Sequence, residues 1–132
     1  MRLSWPFSNH QPPKAPRVPL EDRYLLVRQL AVLQKAGVPL LSSLQALESQ
    51  VPSVAMKQTL RSIQQDLLDG RALSQAFARY PDAFDPTFVG MVQIGEVGGL
   101  LDETFKRLAA LLEWEIDLRS KLVQALQYPI IV

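Results

Sequence analysis

The stretch that decides the fold is Asp85-Pro86-Thr87-Phe88-Val89-Gly90-Met91-Val92-Gln93-Ile94-Gly95-Glu96-Val97-Gly98-Gly99-Leu100-Leu101-Asp102. Its apolar run is short enough to compete as a buried strand. Asp85-Pro86, however, is a helix start. The acid can accept a hydrogen bond from a first-turn amide, and proline suits the first helical position, where an N–H would have no partner. Gly90 and Gly95 within the run, and helical patterns on both sides of it, decide for a helix. That helix is apolar nearly all round, which predicts that it is buried. Gly98-Gly99 ends it. Gly99 is expected in a turn with positive φ and little room for a side chain.

Towards the C-terminus, Leu101, Phe105, Leu108, Leu112 and Ile116 recur at helical spacing. Asp102 and Glu103 stand in the first turn, where the helix dipole favours acids. Acid-before-base pairs four residues apart (Asp102–Lys106, Glu103–Arg107, Glu115–Arg119, Asp117–Lys121) mark a solvated face, each worth only ~0.2–0.5 kcal/mol. A helix continuing to Gln127 is roughly 40 Å long at ~1.5 Å per residue, so one end should project from a small domain. Its residues Leu118, Leu122, Val123 and Leu126 then lack partners within the domain and form a candidate interface. Trp114 is expected to pack along this helix. The chain closes on Tyr128-Pro129-Ile130-Ile131-Val132. Residues 128–132 read as the start of a membrane span, with Arg119, Lys121 and the interfacial Tyr128 as its cytoplasmic flank.

Towards the N-terminus the punctuation is helical throughout. Leu26, Leu30 and Leu33 form a stripe with Val27, and Gly37 ends that helix. Pro39 opens a second, lined by Leu40, Leu44 and Leu47. Pro52 interrupts, and Ser53 caps a third helix with the stripe Met56, Leu60, Ile63 and Leu67, closed by Gly70. A short fourth helix spans Leu73 to Tyr80, with Leu73, Ala76 and Phe77 inward, and Pro81 stops it. The expected fold is all-α: an antiparallel bundle of about six helices over residues 20–127. Met1–Pro19, with five prolines and no apolar face, reads as an extended tail. It holds the chain's one histidine, His10.

Hydrophobic residues make up 48% of the 132 and charged residues 20%, ordinary for one globular domain. The 14 basic and 13 acidic residues nearly balance, whereas a phosphate-binding nucleic-acid protein needs a basic surplus on one face. With no cysteine there is no disulfide, no thiolate nucleophile and no cysteine-based metal site. The glycine cluster at 95–99 follows a helix, not a strand, and no lysine and hydroxyl follow it, so it is a turn rather than a phosphate cradle. No nucleophile–base pair and no metal cluster stands out, and no cofactor is expected. Glu96 has no base at helical spacing. It either bonds the free amides of the last helix or makes a contact at an interface.

Four stretches together resemble the type II secretion F family, the inner-membrane platform proteins of type IV pilus and type II secretion machines. They are Ala36-Gly37-Val38-Pro39-Leu40-Leu41, Gly70-Arg71-Ala72-Leu73-Ser74-Gln75-Ala76, Gly95-Glu96-Val97-Gly98-Gly99-Leu100-Leu101-Asp102, and Lys121…Ala125-Leu126…Tyr128-Pro129. Gly98 stands where the family often carries serine or threonine. The resemblance implies a six-helix domain at the cytoplasmic face of the bacterial inner membrane, followed by a span, a second similar domain and further spans. It implies a non-enzymatic part of an oligomeric platform that couples an assembly ATPase to pilin or pseudopilin subunits; with the unpartnered leucines of the last helix, the expected homo-oligomer is a dimer. Two other readings stand beside it. One is a soluble helical-repeat adaptor, since Gly37 and Gly70 are 33 residues apart. The other is a membrane-anchored enzyme.

Overall fold

A computed structural model describes residues 18–127. The expectations for residues 1–17 and for 128–132, Tyr128 and Pro129 included, fall outside the described residues. Six helices follow in order: α1 Leu20–Lys35, α2 Leu40–Gln50, α3 Val54–Leu68, α4 Leu73–Ala78, α5 Pro86–Gly98 and α6 Leu101–Gln127. There is no strand among the described residues. The fourth helix is shorter than its apolar pattern, ending at Ala78 instead of Tyr80, where hydrogen bonds of Phe84 and Ala83 to the Tyr80 carbonyl turn the chain.

Local chemistry sets the boundaries. Asp85 Oδ1 accepts from the Phe88 amide at 2.8 Å, and Ser53 Oγ from the Met56 amide at 3.2 Å, each satisfying one free first-turn donor. Gly37, Gly70 and Gly99 hold φ of 81°, 88° and 69°. At Gly99 an added Cβ would meet no atom within 4 Å, so the turn is not crowded, contrary to the sequence reading. What selects glycine there is its left-handed backbone, a conformation that costs other residues about 1–3 kcal/mol.

Each helix packs on the next in sequence, and α6 returns to lie along α1, closing a ring. An open stack of helix-pair repeats would not close in this way. The core is one cluster drawn from all six helices, including Leu26, Leu30, Leu44, Met56, Leu60, Ile63, Phe77, Phe88 and Phe105. Phe77, Phe84 and Phe88 meet at ring-centroid distances of 4.6, 5.1 and 4.8 Å and tie α4 to the start of α5. Val18, just before α1, is also buried in this core.

Helices α1 and α6 run antiparallel. The Lys35 end of α1 shares a groove with Asp102, Glu103 and Lys106, and the Leu20 end lies beside Glu115 and Arg119. Because α1 has 16 residues and α6 has 27, α6 outruns its partner. Two unforeseen polar groups help fix the ring. Arg23 Nη1 donates to the Ala83 carbonyl at 2.9 Å, pinning α1 to the α4–α5 connection; burial above all lowers its pKa from the ordinary value, with the charge of Glu115 opposing. Asp66 is buried on α3, and its Oδ1 accepts from Arg71 at 3.1 Å and Arg79 at 2.5 Å, one arginine on each side of α4.

Candidate functional site: the α5–α6 elbow and the projecting helix

The elbow holds the glycine-rich motif. Helix α5 runs through Gly98, so Gly99 alone makes the turn, with Leu100 N donating to the Gly95 carbonyl at 2.9 Å. Gly95 is buried where α5 crosses α6, and a Cβ there would lie 3.0 Å from Thr104 Cβ and closer still to its hydroxyl. Periodicity did not reveal this demand, because the neighbour lies on another helix.

Glu96 corrects its expected role. It does not bond the start of α6. Its Oε1 accepts from the Ser74 amide at 2.6 Å and its Oε2 from the Ser74 hydroxyl at 2.7 Å. The physical reason lies in α4, whose N-cap is Ala72, a residue with no side-chain acceptor. The free Ser74 amide therefore takes its partner from α5. Asp102 lines a shallow recess with Gln34, Glu96, Gly99 and Leu101. The Gly70 turn precedes α4, whereas Gly37 and Pro39 sit at the α1–α2 turn, away from the elbow motif in sequence.

The expectation that α5 is wholly buried fails. Phe88, Val92 and Gly95 face inward, but Ile94 is 75% exposed and Val97 87%. The bundle packs on α5 mainly from α4 and α6, leaving one side of an apolar helix open. Its one charged residue, Glu96, is spent on Ser74, so that open side carries no charge.

The projecting helix is the larger feature. Thr104, Phe105, Leu108 and Leu112 are the buried residues of α6, and every residue from Asp117 to Gln127 is exposed. Leu118 is 40% exposed, Leu122 55%, Val123 51% and Leu126 72%. Trp114, expected to be packed, is 64% exposed, and Leu111 is exposed beside it. They extend the predicted patch back towards the body. Ion pairs close at Glu115–Arg119 (3.9 Å) and Asp117–Lys121 (3.0 Å), with Arg119, Asp117 and Lys121 largely in solvent and Glu115 partly buried. The Asp102–Lys106 and Glu103–Arg107 spacings form no ion pair in the structure. No helix among the described residues is long and apolar enough to cross a membrane, and no group of three potential metal ligands gathers there.

The sequence family described as type II secretion system (T2SS), protein F, matches residues 26–132. The chain is 38% identical to a type IV pilus assembly protein PilC of Myxococcus xanthus over 112 residues, covering 85% of this chain and 27% of that protein. It is 37% identical to PilC of Thermus thermophilus over 113 residues (86% and 28%), and 37% identical to type II secretion system protein F of Vibrio cholerae over 111 residues (84% and 27%). It thus spans about a quarter of the length of these curated relatives. Helical order, the elbow motif and the match across most of the chain agree: this chain belongs to the type II secretion system protein F family.

Proposed function

We propose that this chain is a non-catalytic binding domain of an inner-membrane platform protein in type IV pilus assembly or type II secretion. In that role it stands at the cytoplasmic face and links an assembly ATPase to pilin or pseudopilin subunits through protein–protein contacts. It also associates with a second copy of itself through α6. The family and the names of its relatives support the machine. The observation that carries the binding role is α6 itself: a helix that leaves its own bundle with a row of leucines and a tryptophan in solvent. Helices of soluble domains bury such faces against a partner. Membrane attachment would confine the chains and raise their effective concentration, so each contact can be weak.

The test replaces the chromosomal gene with the Leu122→Glu variant in the organism that carries it. Position 122 is exposed, so the fold should persist and the protein's abundance should stay at the wild-type level. Surface pili, or the secreted protein if the machine secretes, are expected to fall at least ~10-fold, about 1.4 kcal/mol of lost association or more. Wild-type output at wild-type abundance would remove the binding role of α6.

A further inference from the structure

We infer that the α6 helices of two copies pair antiparallel, around a twofold axis that passes Leu118. This rests on the self-association proposed above and adds its geometry. With about 3.6 residues per turn, Leu111, Trp114, Leu118 and Leu122 fall on one side of α6. All four are exposed. Glu115 and Arg119 border this row on one edge, and Asp117 and Lys121 on the other.

Two identical helices can lay this row together in two ways. In a parallel, in-register pair, opposite edges face each other. Glu115 then meets Asp117 of the second copy, and Arg119 meets Lys121, so on each edge two like-charge contacts outweigh the one unlike approach, Arg119 to Asp117. In an antiparallel pair, like edges face each other. With the crossing at Leu118, Glu115 meets Arg119 of the second copy and Asp117 meets Lys121, on both sides of the axis; these four contacts outnumber the two like-charge approaches across it, Arg119 to Arg119 and Asp117 to Asp117. The apolar row matches as well: Leu118 on Leu118, Trp114 on Leu122, and Leu111 opposite Ala125. The contact is isologous, as a closed dimer requires, and its charge pattern selects orientation by opposing the alternative as well as favouring the pair.

The bundle face of α6 is turned away from this row, so the twofold places both bodies on the same side of the α6 pair, at opposite ends. Val123 and Leu126 continue the face that Leu108, Leu112 and Ile116 turn towards α1. They would run beside the body of the second copy. Two chains held on one membrane fit this arrangement if their α6 helices lie along its surface.

The absence of cysteine makes the test free of background. Leu118→Cys, Trp114→Cys and Leu122→Cys are made singly in the 132-residue chain, with Gln58→Cys on the far helix α3 as the exposed control. Each is oxidised under mild conditions, and Trp114→Cys and Leu122→Cys are also mixed in equal amounts. A disulfide forms only where Cα atoms come within about 7 Å. The expected result is rapid linking of Leu118→Cys, and a mixed 114–122 disulfide several-fold more abundant than either homodimer. Dominant 114–114 and 122–122 products would establish parallel pairing; they would overturn the antiparallel inference and leave self-association standing. Linking no greater than for Gln58→Cys, with a dimer still present by sedimentation, would move the interface away from this row and overturn the inference too. The same weak linking with a strict monomer would remove both the inference and the reading beneath it.

Discussion

Glu96→Ala should cost the domain about 3 kcal/mol, a fall in melting temperature of roughly 10–20 °C for a domain of this size. The carboxylate receives two short hydrogen bonds from one residue, the Ser74 amide and hydroxyl. Hydrogen bonds to a charged group contribute about 1.5–3 kcal/mol each, and Glu96 is only partly buried, which places the pair nearer the lower end of the sum. Its removal also strands a helix-start amide that Ala72 cannot cap. Ser74→Ala removes only the hydroxyl bond and should cost about 1 kcal/mol. Thermal unfolding of the two single variants and the double variant checks this. A coupling of about 1 kcal/mol between positions 96 and 74 is expected, because the cycle reads the hydroxyl–carboxylate bond; strict additivity would mean that this bond contributes nothing to stability, and a Glu96→Ala cost no larger than that of Ser74→Ala would mean the same of the amide bond.

Gly95→Val should be comparably damaging, about 2–3 kcal/mol or more. The added Cβ alone reaches 3.0 Å from Thr104 Cβ and closer to its hydroxyl, and two further methyls must enter the same contact between α5 and α6. Gly95→Ala should cost less, because alanine is better than glycine in a helix by about 1 kcal/mol, offsetting part of the overlap. Thr104→Ala in the Gly95→Ala background should restore stability in part, by removing the nearer of the two clashing atoms. Chemical denaturation with all four proteins decides it. If Gly95→Val unfolds at the wild-type midpoint, α5 and α6 do not approach as closely as the structure has them.

What was legible in the sequence was local. Asp85 and Ser53 sit three residues from the amides they cap, and Gly37, Gly70 and Gly99 impose their own turns, so helix ends could be read from adjacent residues. The all-helical class followed from stripes such as Met56–Leu60–Ile63. What escaped was set by elements distant in the chain. Glu96 is 22 residues from Ser74, and no spacing rule joins them, though the missing cap at Ala72 was a signal that an acceptor must arrive from elsewhere. Asp66 sits three residues after Ile63, on the inward side, where an acid is out of place unless arginines reach it; Arg71 and Arg79 were the available partners. The apolar composition of α5 suggested burial on every side, but in the ring its main neighbours are α4 and α6, and one side stays open. Ile94 and Val97 face outward for that reason. The row on α6 was half legible. Its distal leucines followed from helix length, whereas Leu111 and Trp114 joined it only once the position of α1 was known.

Sedimentation velocity of the chain over a wide concentration range, beside Leu122→Glu, tests the central claim most directly. A reversible dimer that grows with concentration is expected for the wild type, with Leu122→Glu remaining monomeric and retaining its helical circular dichroism. A wild type that stays monomeric at the highest concentration, or a dimer unaffected by the charge at 122, would contradict it.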